Sequence, residues 1–544
     1  MLCNIYFSKD EPGIKRKLEE AYNAYSFFMW GKLSDKSISR TKNASLNAAV
    51  SIITQVIILI VSFVCRTFFI KVLGAEYLGI DGLFSSILTI LSLAELGFGS
   101  AIIYDLYKPI AEGDTAKARQ FITLYATVYR IVMIVVSIVG VAFVPFLPSI
   151  INLDKLTVDV NIYIVYLLFL ANTVSTYFLA SYQSILTVNQ LQRRVSTIQL
   201  VMKLVVTSFE CLILFYFKDY YLYLTIKVVG NFVQAYIIKC EAKKEFPDLC
   251  VRSEQKLSKP ELNKIWHNVG ALFIRRIGSV VLSATDNIII NTFISTVMVG
   301  IYSNYVLIVS SVKTITGQIF SSVTASIGNF IATQNKNEIE GIFRLYSFLT
   351  YLIYGFCCIC IFTLANKFIS LLWGAEYVLS TWVVFVIVID YFMQGFTFSV
   401  IYFRDAAGFF VQGKYRPIFS AIVNIAFSII LVKPLGVMGV ILATVISRLL
   451  VSSWYDPYIL YRDLFKVSAW KYYYRFALYT LVMLCLSLLS YWIASLFDNT
   501  LVGLLLSLVV SMLISPILLA PFIKSQEFSQ LKEYIKRLIP QLAK

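Results

Sequence analysis

Residues 110–125 read IAEGDTAKARQFITLY and residues 331–346 read IATQNKNEIEGIFRLY; laid over one another without a gap, they set Ile110 on Ile331 and Tyr125 on Tyr346. The same offset brings Gly79 of YLGI onto Gly300 of MVGI. Each stretch is a polar loop running into an apolar segment, and each follows the second segment of a series. The chain therefore reads as two copies of one unit in the same orientation, a parallel repeat of the kind found in two-lobed membrane transporters.

Outward from these stretches the chain is apolar. Hydrophobic residues make up 58% of it and charged residues 14%, and the mean hydropathy is +0.76. Apolar runs of roughly 18–27 residues, the length a helix needs to cross about 30 Å of hydrocarbon, follow one another through nearly the whole sequence. The expected spans are 46–70, 78–104, 121–147, 158–184, 195–217, 220–240, 268–293, 297–330, 342–372, 378–403, 417–433, 435–455, 474–497 and 501–523. The fold class is thus an all-α integral membrane protein of about fourteen transmembrane helices, with two six-helix lobes and two C-terminal helices. The expected division is a lead-in at 1–45, an N-lobe at 46–240, a basic inter-lobe loop at 241–267, a C-lobe at 268–455, and the last two helices with a tail at 456–544.

A net charge of +16 would suggest nucleic acid in a soluble chain, but its distribution points to a bilayer instead. One set of loops holds Lys239, Lys243, Lys244, Arg252, Lys256, Lys259 and Lys264, together with Arg193, Arg194, Lys414, Arg416, Arg462, Lys466 and Lys471. The alternate loops are short and hold Lys71, Lys155, Lys218, Lys367 and Lys433. Positive charge gathers on the cytoplasmic side of membrane proteins, which places the basic loops and both termini in the cytoplasm. The stretch 1–40 lacks an apolar core of signal-peptide length and reads as a cytoplasmic lead-in. His267 is the only histidine and lies at the edge of a span, which leaves histidine-dependent catalysis without a base. Cys357, Cys358 and Cys360 fall inside a span and read as small apolar packing residues.

Ionisable groups inside a bilayer are costly and normally face a bundle interior or a wet cavity, so they are the best functional signal here. In FIRRIGSVVLSATDN (273–287), Arg275, Ser279, Ser283 and Asp286 share one helical face, with Arg276 and Asn287 beside it. The repeat offset relates Arg275 and Arg276 to Thr54 and Gln55, Asn287 to Arg66, Lys313 to Ser92 and Thr316 to Glu95. Four helices thus bring polar groups toward a common axis. Arg66, Arg275, Arg276 and Lys313 are the candidate cations for an anionic cargo, since guanidinium groups clasp phosphate oxygens bidentately. The competing reading is that Arg66, Arg275 and Arg276 snorkel to the headgroups. Arg66 and Asp286 are expected to approach each other from opposite lobes as a gate pair. Lys203 and Glu210, two turns apart, are either a mutually neutralising pair or functional. Asp390 has no evident partner, and Arg130, Lys227 and Arg448 read as anchors near span ends.

The stretch RTFFIKVLGAEYLGIDGLFSSILTILSLAELGFGSAIIYDLYKPIAEGD (66–114) resembles the polysaccharide exporters and O-antigen-type flippases of the multidrug, oligosaccharidyl-lipid and polysaccharide exporter superfamily. TDNIIINTFISTVMVGIYSNY (285–305), VVFVIVIDYFMQGF (383–396) and KPLGVMGVILATVISRL (433–449) are also similar to segments of that family. The resemblance implies a flippase for undecaprenyl-diphosphate-linked oligosaccharides in a bacterial cytoplasmic membrane. It would work by alternating access, for surface polysaccharide biosynthesis. It implies a cationic cavity at Arg66, Arg275, Arg276 and Lys313, no cofactor, and coupling to a proton or sodium gradient through Asp286, Glu95, Glu210 or Asp390. No phosphate-binding loop of the GxxxxGK[ST] form is present to use ATP. The implied partners are membrane lipids and a polysaccharide polymerase with its chain-length machinery, the implied unit is a monomer, and nucleic acid has no part. The competing functions are a cation-coupled multidrug antiporter, whose cavity would be acidic, and a membrane polymerase or glycosyltransferase, which would need a larger outer loop.

Overall fold

The computed structural model describes residues 40–533 apart from 96–97, 152–157, 323–326, 328–329, 332–333, 408, 410–412 and 414. The chain is nearly all helix. Its first half contains α1 (Arg40–Leu73), α2 (Ala75–Leu91), α3 (Phe98–Glu112), α4 (Thr115–Phe143), α5 (Ile162–Tyr177), α6 (Ala180–Val188), α7 (Gln192–Tyr216) and α8 (Tyr220–Glu245). The second half contains α9 (Lys259–Phe293), α10 (Thr296–Ser322), α11 (Lys336–Trp373), α12 (Thr381–Ala406), α13 (Arg416–Leu435), α14 (Val437–Ser447) and α15 (Ser453–Ile459). A π-helical segment, Arg448–Ser452, joins α14 to α15, and another, Leu460–Phe465, follows. Then come α16 (Trp470–Ala494) and α17 (Leu501–Ile514).

Among the described residues, twelve helices are long and apolar enough to cross a membrane. Two of the fourteen expected spans are built differently. The span expected at 78–104 is α2 and α3 with a 3-10 turn, Ser92–Glu95, between them. The span at 268–293 is the C-terminal part of the unbroken α9, whose charged residues lower its hydropathy.

The repeat is visible in the helix starts. Asp114 caps α4 by accepting the Lys117 N–H at 2.8 Å, and Asn335, its equivalent in the second copy, caps α11 by accepting the Glu338 N–H at 3.1 Å. Each cap occupies one of the orphan amide donors of a helix N-terminus, so the loop–helix junction quoted above is the same device used twice.

The bundle has two ends. The short-loop end holds the α1–α2, α7–α8, α9–α10 and α13–α14 turns; the basic end holds the α8–α9 linker and the starts of α4, α7, α9, α11 and α13. Between them the helices bury a continuous aromatic core, in which Phe343, Phe348, Tyr351, Tyr391, Phe392 and Phe403 are fully enclosed. On the outside, Ile131, Ile134, Ile138 and Val141 form an exposed stripe along α4. Such a face suits hydrocarbon, where an apolar side chain costs nothing.

The last two helices dock on α11. The Lys367 ammonium donates to the carbonyls of Ala494 and Phe497, at 2.7 and 2.9 Å, and to Ser507 Oγ at 3.0 Å. A cation thus sits on the negative C-terminal end of α16. Thr363 Oγ1 donates to Ser490 Oγ, the Tyr351 hydroxyl donates to the Leu518 carbonyl, and Tyr351 stacks on Tyr479 with centroids 4.3 Å apart.

Candidate functional site between the two halves

The halves meet most closely at the short-loop end, where α2 lies against α10. A Cβ at Gly79 would overlap the Thr296 carbonyl, and one at Gly300 would overlap the Ala75 carbonyl. Thr296 is the repeat equivalent of Ala75, so these are one contact made twice about a pseudo-two-fold axis. Only glycine permits so close a backbone approach.

Polar side chains extend the same symmetry. Arg66 on α1 donates to Ser303 Oγ on α10 at 3.3 Å. Asn287 on α9 donates to the Gly82 carbonyl and to Ser86 Oγ on α2, at 3.3 and 2.9 Å. Asn291 donates to the Ile150 carbonyl at 2.9 Å, and Trp373 Nε1 donates to Thr67 Oγ1 at 3.0 Å, adding two further ties between halves.

Below this seam each half holds its own charges. In the first, Lys227 on α8 lies 3.7 Å from Asp81 and sits over the Tyr223 ring at 4.1 Å, and Arg66 is within electrostatic reach of the same aspartate. In the second, Arg448 Nε donates to Asp390 Oδ1 at 2.5 Å. Arg448 is the repeat equivalent of Lys227. Both were expected to be anchors near span ends; both are instead held by a carboxylate of their own half.

Asp286 is buried, within electrostatic reach of Asp390 and Arg448. Among the described residues its Oδ1 has no hydrogen-bond partner. Lys313 lies near the same two charges and over the Phe398 ring at 5.3 Å, and among the described residues it forms no ion pair.

The remaining expected residues fall as follows. Glu95 ends the 3-10 turn between α2 and α3 and accepts the Tyr129 hydroxyl at 3.0 Å. Glu210, 1% exposed, accepts the Cys65 thiol at 3.2 Å. Arg275 and Arg276 stand on α9, and their side chains lie outside the described residues. Counted back from the short-loop end, Arg275 and Lys313 are at the same depth, roughly 26 Å along their helices.

Two expected pairings are not made. Among the described residues no ion pair joins Arg66 to Asp286. Neighbouring positions on α9 point about 100° apart, so Asn287 faces α2 while Asp286 faces its own half. Nor does one join Lys203 to Glu210. Two turns separate them by roughly 10 Å, and the Glu210 carboxylate is turned to Cys65 on α1.

At the basic end the contact between halves is smaller and more polar. Lys117 in the first turn of α4 lies 2.6 Å from Glu261 in the first turn of α9, Phe98 meets Trp266 edge-on at 5.3 Å, and the Ser253 N–H donates to Thr123 Oγ1 at 2.9 Å. Lys117 and the Ser258 cap hold the Glu261 carboxyl down at about 2. Within each half, arginines pair across helix ends: Arg194 with Glu241 and Glu245, at 2.6 and 2.7 Å, and Arg404 with Asp456 at 2.7 Å, Asp456 also meeting Arg416. Among the described residues no group of three or more His, Cys, Asp or Glu side chains is arranged to hold a metal.

Solved structures share this architecture. The Lipid II flippase MurJ in an inward closed conformation superposes with a TM-score of 0.62 at 14% identity, covering 88% of this chain and 99% of its own. A multidrug resistance MATE family transporter of the MOP superfamily, inward-facing, gives 0.56 at 14% identity, covering 74% and 95%. The Vibrio cholerae MATE transporter VcmN, as a mutant, gives 0.54 at 14% identity, covering 78% and 98%. These likenesses establish a shared fold. None of the curated proteins matches the chain. The family model described as "Polysaccharide biosynthesis protein" matches residues 45–327, more than half of the sequence, and the chain belongs to that family.

Proposed function

We propose that the chain is a flippase that carries undecaprenyl-diphosphate-linked oligosaccharides across the bacterial cytoplasmic membrane by alternating access of its two halves. The observation that carries this reading is Lys313. It is a cation inside a span, about two turns from the basic end, on the helix that forms the inter-half seam, and among the described residues it has no carboxylate in ion-pair contact. An unneutralised ammonium at that depth is costly unless a ligand or water meets it, and a diphosphate supplies the opposite charge. Arg275 and Arg276 stand at the same level on α9 and would complete a clamp. The family assignment supports a polysaccharide cargo, and the MurJ likeness supports the fold such a cargo needs.

On this reading the basic end is cytoplasmic, as the loop charges suggest. The tight α2–α10 seam closes the far side, and the cargo enters between the halves from the basic end. Asp286 beside the Asp390–Arg448 pair is the preferred coupling site for a proton or sodium ion, with Glu95 and Glu210 as further candidates. The protein acts as a monomer that hands its product to a polymerase.

The test is flipping of a fluorescent undecaprenyl-diphosphate oligosaccharide in proteoliposomes. Transport by the wild type, with loss in a folded Arg275→Ala, Arg276→Ala variant, supports both the function and the clamp. Unchanged transport in the variant removes the arginines from the clamp, and no transport by the wild type sinks the flippase reading.

A further inference from the structure

At the basic end, the π-helical segment that finishes at Phe465 and the first turn of α16 diverge around a cavity of about 520 Å³. It lies away from the inter-half seam, and nothing in the transport cycle proposed above uses it. Its lining includes Tyr458, Arg462, Lys466, Ser468, Trp470 and Tyr473. Basic and hydroxyl-bearing side chains thus converge on one concavity, between two helix ends.

The two cations are presented differently. Arg462 lies over the Tyr458 ring at 5.3 Å and is held by Asp463, with Nε and Nη2 donating at 2.6 and 3.0 Å. A guanidinium has five N–H donors, so this fixes its plane while leaving others for an anion. Lys466 occupies the left-handed region, φ 60°, as the C-cap of the π-helical segment, and among the described residues its ammonium forms no ion pair. Between residues 462 and 471 Arg462, Lys466 and Lys471 outnumber Asp463.

The surroundings place the cavity at the bilayer surface. Trp470 is 75% exposed, and Trp454 and Tyr474 are also exposed on the flanking helices. Tyr473 donates from its hydroxyl to the Trp454 backbone carbonyl at 2.6 Å, which ties α16 to α15 beside the cavity. Exposed Trp and Tyr at span ends sit at headgroup level, and basic pockets between helices at that level suit acidic lipid headgroups. We infer that this cavity binds the phosphate of an anionic phospholipid headgroup, with Arg462 and Lys466 meeting the phosphate and the Tyr and Ser hydroxyls meeting the glycerol side.

The experiment is native mass spectrometry of the purified protein with an equimolar mixture of phosphatidylglycerol and phosphatidylcholine. Both carry a phosphate, but only the first is net negative. The wild type should retain phosphatidylglycerol preferentially, and the preference should fall about fivefold for each cation removed in Lys466→Gln and in Arg462→Gln, Lys466→Gln. Lys466→Arg should keep it, which separates loss of charge from loss of fold. Equal retention of the two lipids by the wild type, or an undiminished preference in the double variant, would overturn the site. Displacement of phosphatidylglycerol by millimolar inorganic phosphate would overturn the lipid as its occupant.

Discussion

Arg66 donates to Ser303 across the seam between the halves at 3.3 Å. Asn287, the repeat equivalent of Arg66, donates to Gly82, the repeat equivalent of Ser303, also at 3.3 Å. A duplicated chain has thus kept one contact at both of its symmetric places while changing the chemistry, with a cation on one side and an amide on the other. The asymmetry puts a positive charge at one of the two symmetric places, near Asp81.

The glycines beneath this contact set how tightly the short-loop end closes. Gly79→Ala with Gly300→Ala puts two methyl groups into backbone carbonyls, and overpacking of this kind costs about 1–3 kcal/mol. The cost falls on the state in which the seam is closed. Spin labels at Lys71 and Phe293 should therefore shift toward longer separations in the double variant, and an unchanged distance distribution would show that the seam absorbs the methyl groups.

Both glycines, and the Arg66 and Asn287 relation, are legible in the sequence because a repeat offset carries positions from one half to the other. Spans are legible because hydropathy reports length. Pairings are not. The expected Arg66–Asp286 gate places both residues near the seam but joins the wrong helices: Arg66 on α1 meets Ser303 on α10, while α9 reaches α2 through Asn287, one step of about 100° from Asp286. Asp390 looks partnerless in the sequence because Arg448 lies on a helix far along the chain, and Arg448 itself looks like an anchor because the expected span stops at 455, whereas the helical run continues to Phe465 and leaves Arg448 well inside it. The cluster of Arg404, Arg416 and Asp456 escapes a sequence reading for a related reason: it joins three separate helix ends, and no local spacing records it.

Glu261 gives the basic end a pH signature with a defined sign. Its folded pKa, about 2, lies below the usual 4.5, with Lys117 the largest cause, so its contribution is fully present above about 4.5 and is lost as pH falls toward 2. Both partners are about one-third exposed, which limits the pair to less than about 1 kcal/mol. Distances measured between labels on α4 and α9 should be constant from pH 5 to 8 and in Glu261→Gln should shift toward opening by no more than about fivefold. A change between pH 5 and 8 that vanishes in Glu261→Gln would refute the assignment.

Lys367 holds the C-terminal pair of helices to the second half through three donors. Lys367→Ala leaves the last carbonyls of α16 without their cation and should cost about 1.5–3 kcal/mol. The expected result is a lower melting temperature with faster proteolysis near residues 495–500, while Lys433→Ala, at an exposed lysine of the same end, changes neither. Equal behaviour of the two variants would mean that apolar packing against α11 holds the pair unaided.

Lys313 separates charge from volume in the transport reaction. The side chain is half-buried beside Phe398, so Lys313→Met keeps most of the packing and removes only the ammonium. If the ammonium meets a cargo diphosphate, the loss of a charged hydrogen bond of about 1.5–3 kcal/mol lowers the flipping rate at limiting cargo by about 10- to 150-fold, and Lys313→Arg recovers part of it. If instead the ammonium serves only to balance Asp390 beside Arg448, Lys313→Met changes the pH dependence of flipping and leaves the rate at its optimum. Measuring the rate across pH for both variants distinguishes these outcomes, because a cargo contact scales the whole profile whereas an internal balance moves it along the pH axis.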